Sequence, residues 1–166
     1  SYIGGNLSLS NIEYLTDLSI FKNLNKLSHL SITGNPNLLN LNGIQNISSI
    51  SSLSIILNDK LNSLNGLNNL VQVGGNVTIR ANRSLLDLEG LNNIKSIYGD
   101  LVIGSDDYNY NNSHKELLNT LNGLNSLVSI EGNLIIGYNN NLIDITGLSS
   151  LESTGSIFKI WYNKSL

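Results

Sequence analysis

Pairs of apolar residues, each separated by one residue, recur at a nearly constant interval along the chain. Such a pattern is typical of a short β-strand, because alternate side chains of a strand face the same side. From one pair to the next the step is 23, 23, 24, 24, 33 and 24 residues. A period of this length predicts a solenoid in which each repeat forms one turn. The seven pairs are Leu7/Leu9, Leu30/Ile32, Leu53/Ile55, Val77/Ile79, Leu101/Ile103, Leu134/Ile136 and Phe158/Ile160.

A polar residue marks a second fixed position, three residues after each pair. Only the first repeat lacks it, because Ile12 stands there and Asn11 lies one place earlier. An Asn side chain at a sharp corner can hydrogen-bond the backbone of its own turn and of the neighbouring turn. Stacked copies therefore predict an asparagine ladder along the solenoid. The residues at this position are Asn35, Asn58, Asn82, Asp106, Asn139 and Asn163.

A glycine followed by an apolar residue occupies a third fixed position and completes the consensus GNLxIxxNxxLxxLxGLxxLxxI. Glycine lets the backbone adopt positive φ at a corner without steric cost. Leucines three residues apart also suit an amphipathic helix, but Gly and Asn are poor residues for a helix interior. Asn-Gly favours hairpin turns, yet its recurrence at one phase of the repeat fits a coil corner better. These glycines are Gly43, Gly66, Gly90, Gly123 and Gly147.

Together, the patterns predict a mostly β repeat fold with little helix. The expected architecture is a right-handed parallel β-solenoid, similar to a β-helix or leucine-rich repeat, with turns of 23–24 residues. Residues 1–166 are predicted to form a single solenoid of about seven turns, a fragment open at both ends, because neither end offers a capping turn. The 33-residue step is nine longer than its 24-residue neighbours, which predicts an insertion loop over residues 104–117 in turn five.

Two stretches of the chain resemble turns of receptor L-domains, the ligand-binding β-solenoids of insulin-receptor-like and epidermal-growth-factor-receptor-like ectodomains. They are GNVTIRANRSLLDLEGLNNIKSIYGDLVI and GNLIIGYNNNLIDITGLSSLESTGSI. The Asn corner also resembles the asparagine ladder of leucine-rich repeats. The resemblance covers the whole chain and implies extracellular recognition or scaffolding, but no particular ligand. One departure is that receptor L-domains usually carry cysteines, whereas this chain has none.

Charge and composition narrow the classes of partner. The formal net charge is −3, the isoelectric point is near 5.2, and the nine basic residues are scattered. Nucleic-acid binding needs a concentrated Lys/Arg face, so it is not expected. No apolar run is long enough for a membrane span.

Catalysis and metal binding find little support in the sequence. Without Cys, a Ser or Thr nucleophile would need His29 or His114 as its base. These two histidines occupy different phases of the repeat, and no acidic residue is placed to orient either ring. Two unrelated histidines also make a poor metal site. We therefore predict a non-enzymatic protein without a metal or cofactor.

The insertion contains the most function-like cluster of side chains. Insertions in repeat proteins map to one face, often the binding face. The tyrosines could stack on a sugar ring or anchor a protein contact, and the alternative is a tolerated, solvated loop. A calcium site is a weaker possibility, because the spaced acidic pattern of a calcium loop is missing. The candidate binding residues are Asp106, Asp107, Tyr108, Tyr110 and His114.

The residues between the members of each pair should face outward on the sheet. They are small and polar at one end of the chain and mostly apolar at the other, which suits either ordinary sheet surface or a side-on interaction surface. They are Ser8, Ser31, Ser54, Thr78, Val102, Ile135 and Lys159.

Six Asn residues stand in N-x-S/T sequons, which accept glycans in secreted proteins. Two of them, Asn82 and Asn163, belong to the predicted ladder, where a glycan would break the stacking. The candidate glycosylation sites are therefore Asn6, Asn46, Asn76 and Asn111.

These observations lead to two predictions of function. The first is an extracellular or cell-surface recognition or adhesion module that binds a protein or glycan. The alternative is a structural building block of an extracellular filament, sheath or coat that self-associates through the solenoid ends.

Overall fold

The computed structural model describes residues 4–105 and 117–166. The chain folds as a parallel β-solenoid in which equivalent residues of successive turns lie 23 or 24 residues apart, except across the insertion. Within the described residues, the helical content is limited to two short 3₁₀ segments, Ser19–Phe21 and Thr146–Leu148. The predicted fold class is confirmed.

One side of the solenoid is a sheet of seven parallel strands, one from each apolar pair, with the strands numbered in chain order. The pairing keeps the repeat phase, so that Leu30 lies beside both Leu7 and Leu53. These strands are β1 (Asn6–Ser10), β2 (His29–Thr33), β4 (Ser52–Ile56), β6 (Val77–Arg80), β8 (Leu101–Gly104), β10 (Leu134–Gly137) and β12 (Phe158–Trp161).

A second, narrower parallel sheet of five strands is formed by residues at the end of successive repeat units. Its strands are only two residues long, and each ends at the last apolar position of the consensus GNLxIxxNxxLxxLxGLxxLxxI or its equivalent. They are β3 (Ser49–Ile50), β5 (Gln72–Val73), β7 (Ser96–Ile97), β9 (Ser129–Ile130) and β11 (Ser153–Thr154).

A single apolar core runs through the solenoid between these elements. Inward residues of the large sheet, such as Ile32 and Ile55, are completely buried, as are the leucines of the following segment, such as Leu41 and Leu64. Each buried Leu or Ile contributes about 1.5–3 kcal/mol relative to exposure. Burial of this layer in every turn is what the repeat pattern encodes.

The glycine of the Gly-apolar pair lies at a sharp corner of the turn. Gly43, Gly66, Gly90 and Gly123 have φ values of 123°, 117°, 113° and 108°. An added Cβ at Gly66 would collide with the backbone carbonyl of Leu41 in the preceding turn. Glycine is therefore needed here both for its dihedral angle and for the close contact between turns.

The regular path of turn five extends further than the predicted insertion boundary allowed. Gly104 is the last residue of β8 and pairs with Gly137, and the N–H of Ser105 donates to the Gly137 carbonyl at 2.9 Å. The chain is again in the core at Leu118, which is buried. Residues 104 and 105 therefore belong to the regular turn rather than to the insertion.

Candidate functional site

Four of the predicted ladder residues are buried amides, a fifth, Asn163, is half-buried, and Asp106 lies outside the described residues. Asn35, Asn58, Asn82 and Asn139 are each at most 1% exposed. The Oδ1 of Asn58 accepts from the backbone N–H of Asn35 at 3.1 Å and from its Nδ2 at 3.2 Å. The Nδ2 of Asn58 donates to the carbonyls of Ile32 and Ile56, both at 3.1 Å. Each amide thus satisfies backbone groups of its own turn and of the turn before it.

The ladder has a direction along the solenoid. The N–H at the ladder position of one turn donates to the Asn Oδ1 of the next turn, as from Asn58 to Asn82 at 3.1 Å and from Asn139 to Asn163 at 2.9 Å. In the first turn the N–H of Ile12 donates to Asn35 at 3.0 Å. A turn can therefore begin the ladder without an Asn of its own, which explains why Ile12 is compatible with the fold.

A second polar ladder, which the sequence interpretation missed, lies at the corner before the large sheet. The Asn76 Oδ1 accepts from the N–H of Asp100 at 2.9 Å, and the Asp100 Oδ1 accepts from the N–H of Asn133 at 2.7 Å. The Asn133 Oδ1 accepts from the N–H of Ile157 at 3.0 Å. The G-N/G-D dipeptide at this phase of the consensus was the available signal.

A third set of amides lies on the exposed side, after the Gly corner. The Nδ2 atoms of Asn46, Asn69 and Asn93 donate to backbone carbonyls of the preceding turn at 3.0, 2.8 and 2.6 Å. Asn therefore stabilises the contact between turns at three separate phases. These three sets account for ten of the 29 Asn residues in the sequence.

The residue before the ladder position adopts a left-handed conformation even where it is not glycine. The φ values are 59° at Leu57, 57° at Ala81, 63° at Tyr138 and 51° at Tyr162. A non-glycine residue in this region costs about 1 kcal/mol. The regular ladder over-determines this corner, so the side-chain identity is free to vary there.

Three aromatic rings lie together in the last two turns, at or next to the residue that precedes the ladder position. Tyr138 and Tyr162 stack with ring centroids 5.0 Å apart and an interplanar angle of 1°. Trp161 contacts both rings edge-on, at 5.2 and 5.1 Å. The Nζ of Lys159 lies 3.4 Å from the centroid of the Trp161 ring, a cation–π contact. Tyr138 was not singled out from the sequence, although it shares the repeat phase of Tyr162.

The outward residues of the large sheet form two columns, which we call the outer face. The column predicted from the sequence is in register in the sheet, with Thr78 beside Val102 and Val102 beside Ile135. Hydroxyl side chains dominate turns one to four, whereas Val102 and Ile135 are half-buried apolar residues beside Lys159. The second column is Ser10, Thr33, Ile56, Arg80, Gly104, Gly137 and Trp161.

The predicted binding residues of the insertion, Asp106, Asp107, Tyr108, Tyr110 and His114, lie outside the described residues. Their place in the chain is nevertheless informative. The insertion follows β8 directly, and β8 carries Val102, one of the apolar residues of the outer face.

The sequon residues differ in accessibility. Asn6, Asn46 and Asn76 are exposed, and Asn111 lies outside the described residues. Asn82 is 1% exposed and its Nδ2 donates to the Ile55 carbonyl at 2.9 Å. A glycan on Asn82 would require unfolding of this corner, which supports its exclusion from the candidate sites.

The closest approach to a catalytic arrangement among the described residues is one Ser-His pair. The Nδ1 of His29 lies 2.6 Å from the Oγ of Ser52, on the exposed side of β2 and β4. Across residues 4–105 and 117–166, no group of three His, Asp or Glu side chains is placed to hold a metal ion. No helix in the same ranges is long and apolar enough to cross a membrane.

No protein-family model, no curated protein and no solved structure matches this chain. The resemblance to receptor L-domains therefore stays a prediction.

Three carboxylates at one phase of the repeat, Asp17, Asp87 and Asp144, each accept from the backbone N–H two residues later. Asp144 accepts from the N–H and from the hydroxyl of Thr146, both at 2.8 Å. These bonds, the backbone one first, lower the pKa of Asp144 below its usual value. Asp17 has a lowered pKa through its hydrogen bonds with Ser19. Because the folded-state pKa is the lower one, this stabilisation is present above the unfolded pKa of about 4 and is lost as the pH falls through the folded value.

Replacing Thr146 by Ala should raise the pKa of Asp144 part of the way to its usual value, because one of its two donors is removed. The measurement is an NMR titration of the Asp144 carboxyl carbon in both proteins, with Asp17 as the internal control. An unchanged Asp144 titration would show that the hydroxyl does not favour the carboxylate.

Proposed function

We propose that this chain is a non-enzymatic recognition module, acting outside the cell or at its surface, that binds a protein or glycan through the outer face and the adjoining insertion. The observation that carries the proposal is the change along the first column of the outer face, from hydroxyl side chains to Val102 and Ile135, with Trp161 on the same face in the last turn. A solvated sheet face needs no apolar column, and apolar and aromatic side chains grouped on a surface are typical of interaction sites.

The scaffold suits this role. Its polar ladders fix the backbone of every described turn, so a surface on the sheet is rigid and loses little entropy on binding. The resemblance to receptor L-domains supports the same class of function, and the exposed sequons Asn6, Asn46 and Asn76 are compatible with secretion. Intact-mass measurement on protein from its native source tests the last point, since glycosylation adds hexose-sized increments.

Replacing Ile135 by Asp should weaken ligand binding at least about tenfold, because a carboxylate in the apolar part of the outer face must be desolvated on binding. The measurement screens the parent protein on glycan arrays and purified extracellular proteins, then titrates each hit with the variant. The matched control is Ser31→Asp, at the same half-buried strand position in the hydroxyl part of the face. The double variant Tyr108→Ala/Tyr110→Ala tests the insertion in the same way.

Equal affinity of the parent and the Ile135→Asp protein would contradict the placement of the site on the outer face. A screen without any protein or glycan hit would contradict the recognition function.

The second candidate is a structural building block of an extracellular filament, sheath or coat. It is favoured by the parallel, in-register stacking of the turns, a contact that can be repeated along the solenoid axis. Light scattering over a range of concentrations distinguishes the two, because end-to-end assembly predicts a mass that rises with concentration.

A further inference from the structure

Three corners of the solenoid carry an Asn-Gly bond, a sequence at which asparagine deamidates readily because glycine has no side chain to shield its nitrogen. The Asn side chain is exposed at each of these corners, whereas the glycine is buried. Burial therefore does not protect the reactive carboxamide from water, and any protection must come from the backbone of the corner. The three bonds are Asn42-Gly43, Asn65-Gly66 and Asn122-Gly123.

The Asn side chain is not needed to form this corner. The same phase of the repeat is occupied by Glu89 before Gly90 and by Thr146 before Gly147. The Glu89 side chain is exposed, like those of the three asparagines. A carboxylate is therefore compatible with this position, and Asn brings a chemical reactivity that the fold does not require.

An amide side chain two residues after each corner glycine accepts the glycine N–H. The Oε1 of Gln45 accepts from the N–H of Gly43 at 2.8 Å. We call Gln45, Asn68 and Asn125, the acceptors at the three Asn-Gly bonds, the corner amides. The equivalent bonds join Gly66 to Asn68 at 3.0 Å, Gly90 to Asn92 at 2.9 Å and Gly123 to Asn125 at 3.1 Å.

The opposite edge of the same peptide group is held by the preceding turn. The Asn42 carbonyl accepts from the N–H of Leu18 at 2.9 Å. A Cβ added at Gly43 would collide with the Leu18 carbonyl, so the glycine also packs closely on that turn. Rotation of the Asn-Gly peptide is therefore opposed on both edges. The carbonyls of Asn65 and Asn122 accept in the same way, from Leu41 at 2.9 Å and from Leu88 at 2.8 Å.

Deamidation begins when the deprotonated glycine nitrogen attacks Cγ of the preceding Asn. At Asn42, the Gly43 nitrogen would bond to Cγ, the Cγ–Nδ2 bond would break, and ammonia would leave with the proton of the glycine N–H. Water would then open the resulting succinimide to aspartate or isoaspartate. A hydrogen bond to the neutral N–H disfavours the deprotonated form, so the Gln45 acceptor opposes the first step.

We propose that Asn42, Asn65 and Asn122 are deamidation sites that the folded corner keeps inactive, and that the corner amides provide this protection through the glycine N–H. Isoaspartate adds a methylene group to the backbone of a corner that is bonded on both edges. The reaction would therefore separate two stacked turns and make a transient local opening irreversible. This protection does not depend on the recognition function of the outer face.

The test follows deamidation of the full 166-residue chain in mildly alkaline buffer, by mass spectrometry of its peptides with chromatographic separation of aspartate and isoaspartate. The reference is a peptide with blocked ends and the sequence of residues 41–44, LNGI. We expect Asn42 to react at least about a hundredfold more slowly in the folded chain than in the peptide. The corner is held by two hydrogen bonds, each of which represents a factor of about ten.

Substitutions at Gln45 test the acceptor itself. Gln45→Ala should accelerate the reaction at Asn42 at least about tenfold, and Asn65 and Asn122 should stay as slow as in the parent protein. Gln45→Asn should keep the protection, because Asn accepts the same N–H at the other corners. The Gln45 side chain is exposed, so both variants should fold.

The matched control is Asn46→Ala. The Asn46 Nδ2 donates to the Lys22 carbonyl of the preceding turn at 3.0 Å, so this change removes a hydrogen bond close to the same corner. It leaves the acceptor of the Gly43 N–H in place and should not accelerate the reaction at Asn42.

Three results would overturn the proposal. The first is a reaction at Asn42 that is as fast in the folded chain as in the peptide, and the second is an unchanged rate in the Gln45→Ala protein. The third is equal acceleration of Asn42 by Gln45→Ala and Asn46→Ala, which would assign the protection to general stability rather than to the corner amide.

Discussion

Replacing Asn58 by Ala is expected to lower the free energy of unfolding by about 3–5 kcal/mol, although no apolar contact is removed. Asn58 is completely buried, and its side chain hydrogen-bonds both backbone and side-chain atoms of the turns on either side. Alanine would leave the Asn35 N–H and the Ile32 and Ile56 carbonyls without these partners. Each stranded buried group costs about 1–3 kcal/mol.

The control for this experiment is Asn62→Ala. Asn62 lies four residues later in the same turn, and its side chain is exposed, so the change should alter stability by less than about 0.5 kcal/mol. Urea unfolding gives the free energies, and amide hydrogen exchange tests whether the loss is concentrated in the turns that contain Asn35 and Asn82. A loss below about 1 kcal/mol for Asn58→Ala would mean that water replaces the amide, and the ladder would then not be a main source of stability.

The fold could be predicted because the properties that determine it repeat. An apolar pair such as Leu53/Ile55 indicates a strand and its inward face, and Asn58, at a constant distance from the pair, indicates the corner. The same two signals occur at the same phase in most turns, which distinguishes them from chance matches. The period then fixes which strands pair, and the observed register follows it.

Two of the missed features lack such a signal. The two-residue strands such as Gln72–Val73 arise because parallel stacking already aligns their backbone, whatever the side chains are. Leu57 and Ala81 adopt positive φ because the ladder residue that follows them is fixed, and neither residue type prefers that conformation. Stacked turns thus impose local structure that residue preferences do not reveal.

The candidate site likewise has a part that could be predicted from the sequence and a part that could not. The sequence predicted the outward column that contains Val102 and Ile135, because inside and outside alternate along a strand. The contact between Tyr138 and Tyr162 was not predicted from the sequence. These residues are 24 positions apart, and they lie just before the ladder position, where the consensus specifies no residue type. Comparing each variable position across turns, rather than within one turn, would have revealed the pair.

Replacing Gly66 by Ala should destabilise the protein by about 3 kcal/mol or more. The φ of Gly66 is 117°, a conformation that L-residues rarely adopt. The new Cβ would also collide with the Leu41 carbonyl and lie 3.1 Å from the Asn42 nitrogen. Both neighbours are backbone atoms of the preceding turn, so relief requires the two turns to separate.

Gly5→Ala is the matched control, because no atom lies within 4 Å of the position that its Cβ would occupy. Reducing the conformational freedom of the unfolded chain should make this change neutral or stabilising by up to about 1 kcal/mol. Urea unfolding of the two variants therefore separates the general effect of Gly→Ala from the combined effect of the positive φ and the close contact between turns at Gly66. If Gly66→Ala were as stable as Gly5→Ala, the turns would not be stacked as closely as the ladder distances require. A large loss at Gly66 alone would show that this corner, through its positive φ and its close contact with the preceding turn, is a main source of stability in the solenoid.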